Sequence, residues 1–154
     1  MTAESIGYSV SKILRRDLQR TIEQIQLYRK EEAMWIKEGT INNSAGNLAL
    51  HIAGAVNHFI GAALGKSGYI RQRDKEFSLR EVAREDIIRQ LQAASHVVNG
   101  VLDNLTSDDY HQDFPEKIGG SNLTVNEFLI HLVSHVNYHL GQINYHRRIL
   151  DLEI

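Results

Sequence analysis

A single proline, Pro115, stands in a chain of 154 residues. Proline removes a backbone donor and clashes with the preceding helical turn, so its near absence permits long helices almost everywhere. Four stretches use that freedom. The first carries Val10, Leu14, Leu18, Ile22 and Ile25 at steps of three or four through about position 29, with Arg15, Arg16, Arg20 and Glu23 on the other face. After a segment holding Trp35 and the turn-prone EGTINN, Asn43 or Ser44 can cap a second helix that runs to about Leu64 and stops at Gly65. The third is predicted to begin at Ser78, where Ser78 and Glu81 have the spacing of a capping box, and its buried stripe is Ile87, Leu91, Ala94, Val98 and Leu102. The fourth repeats that device with Thr124 and Glu127 and continues to about Leu150. Between the last two lies SDDYHQDFPEKIGGSN, whose Pro115 and Gly119–Gly120 predict an irregular connection with a short hairpin. The expected fold is all-α, a four-helix bundle formed as one domain over residues 1–154.

Charge names no partner. The formal net charge is −2, from 17 basic and 19 acidic residues spread along the chain, so there is no basic stripe for nucleic acid and no polyacidic arm. The chain has no cysteine, which excludes disulfides, zinc ribbons and a thiol nucleophile, and any metal must take nitrogen or oxygen ligands. The N-terminus MTAESIGYSVSKILRRDLQR lacks an apolar signal core, and no run approaches the roughly 20 apolar residues that cross a bilayer. The expectation is a soluble, cytoplasmic protein without nucleic-acid or membrane partners.

Four of the eight histidines crowd into HLVSHVNYHLGQINYH, residues 131–146, and His131, His135 and His139 recur every fourth residue. On a helix, residues four apart lie about 6 Å from each other on nearly one face, so neighbouring imidazoles can share an ion. His131 and His139 are about 12 Å apart along the axis, too far for comfortable joint ligation. A third ligand must come from elsewhere, and the second helix offers His51 and His58, seven residues apart on a strip shared with Asn47, Gly54, Ala55 and Ala62. If the two helices run antiparallel, His51 reaches the level of His139, and His58 that of His131 and His135. Two triads follow from this arithmetic: His51, His135 and His139, or His58, His131 and His135. His96, His111 and His146 stand outside both, with His146 near a helix end that favours a cation.

The combination NSAGNLALHIAGAVNHFI, RQRDKEF and HLVSHVNYHLGQINYHRRIL resembles the DinB/YfiT-like superfamily of metalloenzymes, in its small bacterial branch of unknown function. The resemblance covers nearly the whole chain in motif order. Its most specific element is H-x-x-x-H-x-G-Q, here His135, His139, Gly141 and Gln142, coupled to a histidine in the second helix. The resemblance implies an up-down-down-up bundle, a divalent metal on His51, His135 and His139, a homodimer, and transfer or isomerisation chemistry with a low-molecular-weight thiol as cosubstrate.

Three neutral imidazoles suit zinc or nickel, with iron or manganese also compatible, and leave positions open for a small-molecule substrate. The expected activity is a metal-dependent S-transferase or hydrolase acting on a small electrophile. The alternatives are a metal-binding protein without catalysis and a helical interaction module. Asn47 and Gln142 are candidates for orienting ligands or substrate, although either also suits a helix-interface hydrogen bond. Arg71 and Arg73, in GKSGYIRQRDKEF, can hold an acidic group, or pair with Asp74 and Glu76 and pin that segment beside the third helix.

Overall fold

A computed structural model describes residues 6–152. These form α1 (Ile6–Leu27), α2 (Ala45–Val56), a short α3 (Arg73–Ser78), α4 (Arg84–Leu102) and α5 (Val125–Leu150). No strand occurs among the described residues, only isolated bridges between Asp113 and Thr124 and between Ile118 and Ser121. The chain is all-α, as its periodicity predicts.

The four long helices enclose one core. α1 packs against α4 and α5, and α2 against the same two, while α3 lies on α2. The stripes read from the sequence are the ones buried: Leu14, Leu18 and Ile25 of α1 and Ile87, Leu91, Ala94, Val98 and Leu102 of α4 are all inaccessible to solvent. Each leucine or isoleucine so placed contributes about 1.5–3 kcal/mol relative to exposure. Along α1 and α5, Asp17 meets Asn137 and Gln24 meets Arg147, so these contact positions rise together on the two helices, and Tyr28, just past the end of α1, meets His146.

α2 begins as its cap predicts, with the Ser44 hydroxyl accepting from the Asn47 amide, and every residue from Ala45 to Val56 is buried. Beyond Val56 the helix widens into π geometry over Asn57–Leu64, ending where the Gly65 amide donates to the Ile60 carbonyl at 2.8 Å. Contrary to the sequence reading, Ala45–Leu64 is long and apolar enough by composition to cross a membrane; 67% of that stretch lies buried inside the fold, against α4 and α5. Its apolarity is that of a core helix: Ala45–Val56 is buried throughout, while part of Asn57–Leu64 reaches solvent.

A second correction concerns Ser78 and Glu81. Ser78 is the last residue of α3, and Glu81 sits at φ 57°, in the left-handed region that an interior helical residue does not adopt. α4 starts six residues later, behind Ala83. At the other predicted box, Thr124 and Glu127 bond reciprocally to each other's backbone at the start of α5. The Pro115 connection carries a tight two-residue hairpin in which Ile118 and Ser121 exchange both backbone bonds. Gly119 and Gly120 adopt φ 56° and 82°, the pair of positive angles that such a turn requires.

The two boxes predict opposite outcomes. Thr124→Ala should destabilise the protein by about 0.5–2 kcal/mol through loss of a cap, whereas Ser78→Ala should stay within roughly 0.5 kcal/mol of wild type. Urea midpoints measured on both variants check this, and equal losses would contradict the assigned start of α4.

Candidate metal centre

His51 follows the Ser44 cap by two turns of α2, and His135 and His139 occupy successive turns of α5. Their ring centroids form a near-equilateral triangle, 5.0 Å from His51 to each of the others and 4.6 Å between His135 and His139. One ligand nitrogen from each ring lies within 4.8 Å of the other two. The Nε2 atoms of His51 and His135 are 3.0 Å apart; two nitrogens each about 2.1 Å from one ion are separated by roughly 3.0–3.4 Å at right or tetrahedral angles. The donor set therefore fits a divalent cation. No other three such groups converge among the described residues.

The remaining ring nitrogens are held in place. His51 Nδ1 lies 3.0 Å from Glu76 Oε1, and an ionised carboxylate accepts, so Nδ1 carries the proton and Nε2 is left to face the other two rings. Burial alone would raise the Glu76 carboxyl, but hydrogen bonds from His51 and Arg71 overcome it and hold that group below its usual range. Arg71 donates through Nε and Nη2 to both Glu76 oxygens at 2.8 Å. His139 Nδ1 donates to Gln142 Oε1 at 2.7 Å, which turns its Nε2 inward in the same way. Such partners fix the tautomer and the orientation of a ligating imidazole.

Burial pushes the His135 imidazole down to about 4, and its neighbours His139 and His51 press it in the same direction. His139 is also lowered, by burial and by His51, against the opposing bond to Gln142. Both rings are thus neutral near pH 7, the form that binds metal.

The structure brings together the first of the two triads. It does not assemble the second: His58 is two turns along the helix from His51 and pairs instead with Glu116, at 2.8 Å. His131 stacks against His135 at 6.3 Å, outside the cluster. Asn47 touches no ligand. Its amide donates to the Glu76 and Leu79 carbonyls, and its oxygen accepts from Ser44 and Arg80, so it clamps the segment carrying Glu76 onto α2. Arg71 pairs with Glu76 as the sequence suggested, and the α3 part of that segment packs on α2, where Glu76 meets His51. Glu76 itself escaped the sequence reading as a partner of His51. The available signal was Gly54, mid-helix, where a Cβ would collide with the Glu76 carboxylate.

His96 and His111 are exposed and apart from the cluster. His146 departs from the cation expected of a helix end: it is 5% exposed, its Nε2 donates to the Ile36 carbonyl, and its Nδ1 accepts from the Tyr28 hydroxyl. Burial lowers its pKa, and a neutral ring is what those two bonds require.

A pocket of about 200 Å³ opens against His51 and His135, walled by Phe59, Phe128 and Leu132, with Arg71, Arg73 and His131 at its polar side. Fold and site together make this an all-α protein with a three-histidine cluster facing a small pocket. The chain belongs to the family described as "Protein of unknown function (DUF1572)", whose model matches residues 8–153. No curated protein matches it.

Two outcomes test this geometry. Glu76→Gln, and Gly54→Ala through the Glu76 carboxylate, should each weaken zinc binding about 10–100-fold; competition against a chromophoric chelator measures this, and unchanged affinity in both removes Glu76 from the site. For the metal-free protein, the folded His135 and His139 titrate below the ordinary histidine value, so as pH falls below about 6.5 the unfolded chain takes up protons that the folded state refuses. Stability should be level from pH 8 to 7 and decline from pH 6.5 towards 5. His135→Asn should reduce that decline and leave the share owed to His139 and His146, and a urea midpoint constant to pH 5 would contradict the neutral cluster.

Proposed function

We propose that the protein is a divalent-metal-dependent enzyme whose ion is held by His51, His135 and His139, with zinc or nickel as the expected metal and iron or manganese compatible with the same nitrogens. The observation that carries this reading is the pocket opening onto two of the three histidines. Three protein ligands with space beside them are the pattern of catalytic metal sites, where structural sites close all four positions. An ion bound there would supply Lewis acidity, which could make a water or thiol nucleophilic near neutral pH. The chain's own residues do the rest. Glu76 and Gln142 orient His51 and His139, burial keeps His135 neutral, and Phe59, Phe128 and Leu132 limit water around the reacting group.

The reaction class we favour is S-transfer or hydrolysis on a small electrophile, the former with a low-molecular-weight thiol as cosubstrate, following the resemblance to the DinB/YfiT-like superfamily. The contact order along the helices supports the up-down-down-up bundle of that superfamily: Asp17–Asn137 and Gln24–Arg147 advance together, while Arg15–Asn99 and Gln26–Arg84 run opposite. A homodimer is part of the same proposal, supported by an exposed apolar stripe on α5 made of Ile130, Tyr138, Tyr145 and Ile149. One domain in the cytoplasm, acting on a small molecule without nucleic acid or membrane, completes it.

Metal content of untagged protein tests the centre. The wild type should hold a stoichiometric divalent ion, His51→Ala, His135→Ala and His139→Ala should lose it, and His131→Ala should retain it. Turnover of a panel of electrophiles, with and without thiols, should depend on His135; a metal-loaded protein with no His135-dependent turnover of any of them would leave a metal-binding protein without catalysis.

A further inference from the structure

The pocket beside the three histidines has a chemical character of its own. Its floor is aromatic: Phe128 stacks on Phe114 with centroids 3.8 Å apart and planes 14° from parallel, and Phe59 tilts against Phe128 at 5.0 Å. The stacking fixes the Phe128 ring, so this wall is preorganised for a flat apolar body. Leu132 and Ile118 of the two-glycine hairpin complete the apolar side. About 200 Å³ is below the roughly 300–1,000 Å³ of drug-sized sites, so the ligand is small.

The polar side is cationic. Arg71 and Arg73 line the pocket, and no acidic side chain does. Arg71 spends Nε and Nη2 on Glu76, which matches one positive charge. Arg73 stacks its guanidinium over Phe77 at 5.2 Å and makes no ion pair with a carboxylate among the described residues. Glu116, the acid of the adjoining hairpin, is engaged by His58. One guanidinium therefore remains for a ligand, and planar N–H forks of this kind match a carboxylate. A divalent ion on three neutral histidines would add positive charge to the same cavity, which would repel cations and favour an anion.

We propose that this pocket binds a small monocarboxylate with an aromatic or flat apolar body, its acid group held by Arg73 and its body against Phe59 and Phe128, its far end reaching the histidine cluster. The inference deepens the enzyme reading by naming its substrate class, and rests on that reading only for the role of the bound molecule as substrate.

The test uses benzoate, phenylacetate and hexanoate as probes and benzamide as the neutral counterpart of the first, in ligand-observed NMR titrations of the full chain, both metal-free and zinc-loaded. Benzoate should bind the metal-free protein and benzamide at least tenfold more weakly. Arg73→Gln, a change at an exposed side chain, should weaken benzoate about tenfold or more and leave benzamide unaltered, with Arg73→Lys recovering part of the loss. Ile118→Glu, which sets a negative charge at the pocket, should abolish benzoate binding. Absence of binding by all three carboxylates, equal binding of benzoate and benzamide, or indifference to Arg73→Gln each overturns the proposal. Metal analysis of the same samples separates the two ideas. Arg73-dependent benzoate binding in a protein that takes up no divalent ion keeps the pocket and removes the metal centre, and a metal-loaded protein deaf to every carboxylate does the reverse.

Discussion

The Glu76 carboxylate is buried against a helix, and most of the site's order depends on how that charge is accommodated. A carboxylate withdrawn from water must find charged or hydrogen-bonding partners or become protonated. Here Arg71 covers both oxygens and His51 takes a third bond. The space for it exists because α2 carries no side chain at position 54. Asn47 then ties the backbone of the same segment to the helix one turn earlier. The 71–80 segment, the face of α2 and the orientation of His51 are consequently one construction, and removing any member exposes or orphans the others.

α5 contributes differently. Two of the three clustered rings share this single helix, so their mutual spacing is set by helical geometry and needs no tertiary support. What the rest of the fold must supply is the height of α5 relative to α2. The capping box at Thr124 fixes where the helix begins, and near its other end His146 is clasped between the Tyr28 hydroxyl and the Ile36 carbonyl. Asn137, bonded to the buried Asp17 of α1, holds the middle. A helix pinned at three levels cannot slide by a turn without breaking buried polar contacts.

Helices were legible in the sequence where their apolar residues repeat: the stripes from Val10 to Ile25 and from Ile87 to Leu102 are the buried faces. The histidine spacing and the antiparallel argument reached the right triangle as one of two, and the resemblance chose between them. What stayed hidden was tertiary. Ser78 and Glu81 match a capping pattern that four residues can show by chance, and Glu81 instead sits at positive φ in a segment tied to α2 through Leu79. Glu76 is 25 residues from His51, and no local rule connects a loop acid to a helical histidine. His146 read as a favourable terminal cation, since its burial depends on Tyr28 and Ile36, both more than a hundred positions away. The strip of small residues on α2 is plain in the sequence, but only the folded chain reveals that the space at Gly54 belongs to a carboxylate.

The triangle joins positions 51 and 135, which are separated by more than half the chain. An ion bound across it would act as a removable cross-link between the two halves of the molecule, and its binding energy would add to folding energy. Proteases attack the rare opened form of a protein, whose population rises as that added energy is withdrawn. The lifetime of this chain in a cell would then follow the local supply of the ion, so that scarcity would lower the amount of protein as well as its occupancy.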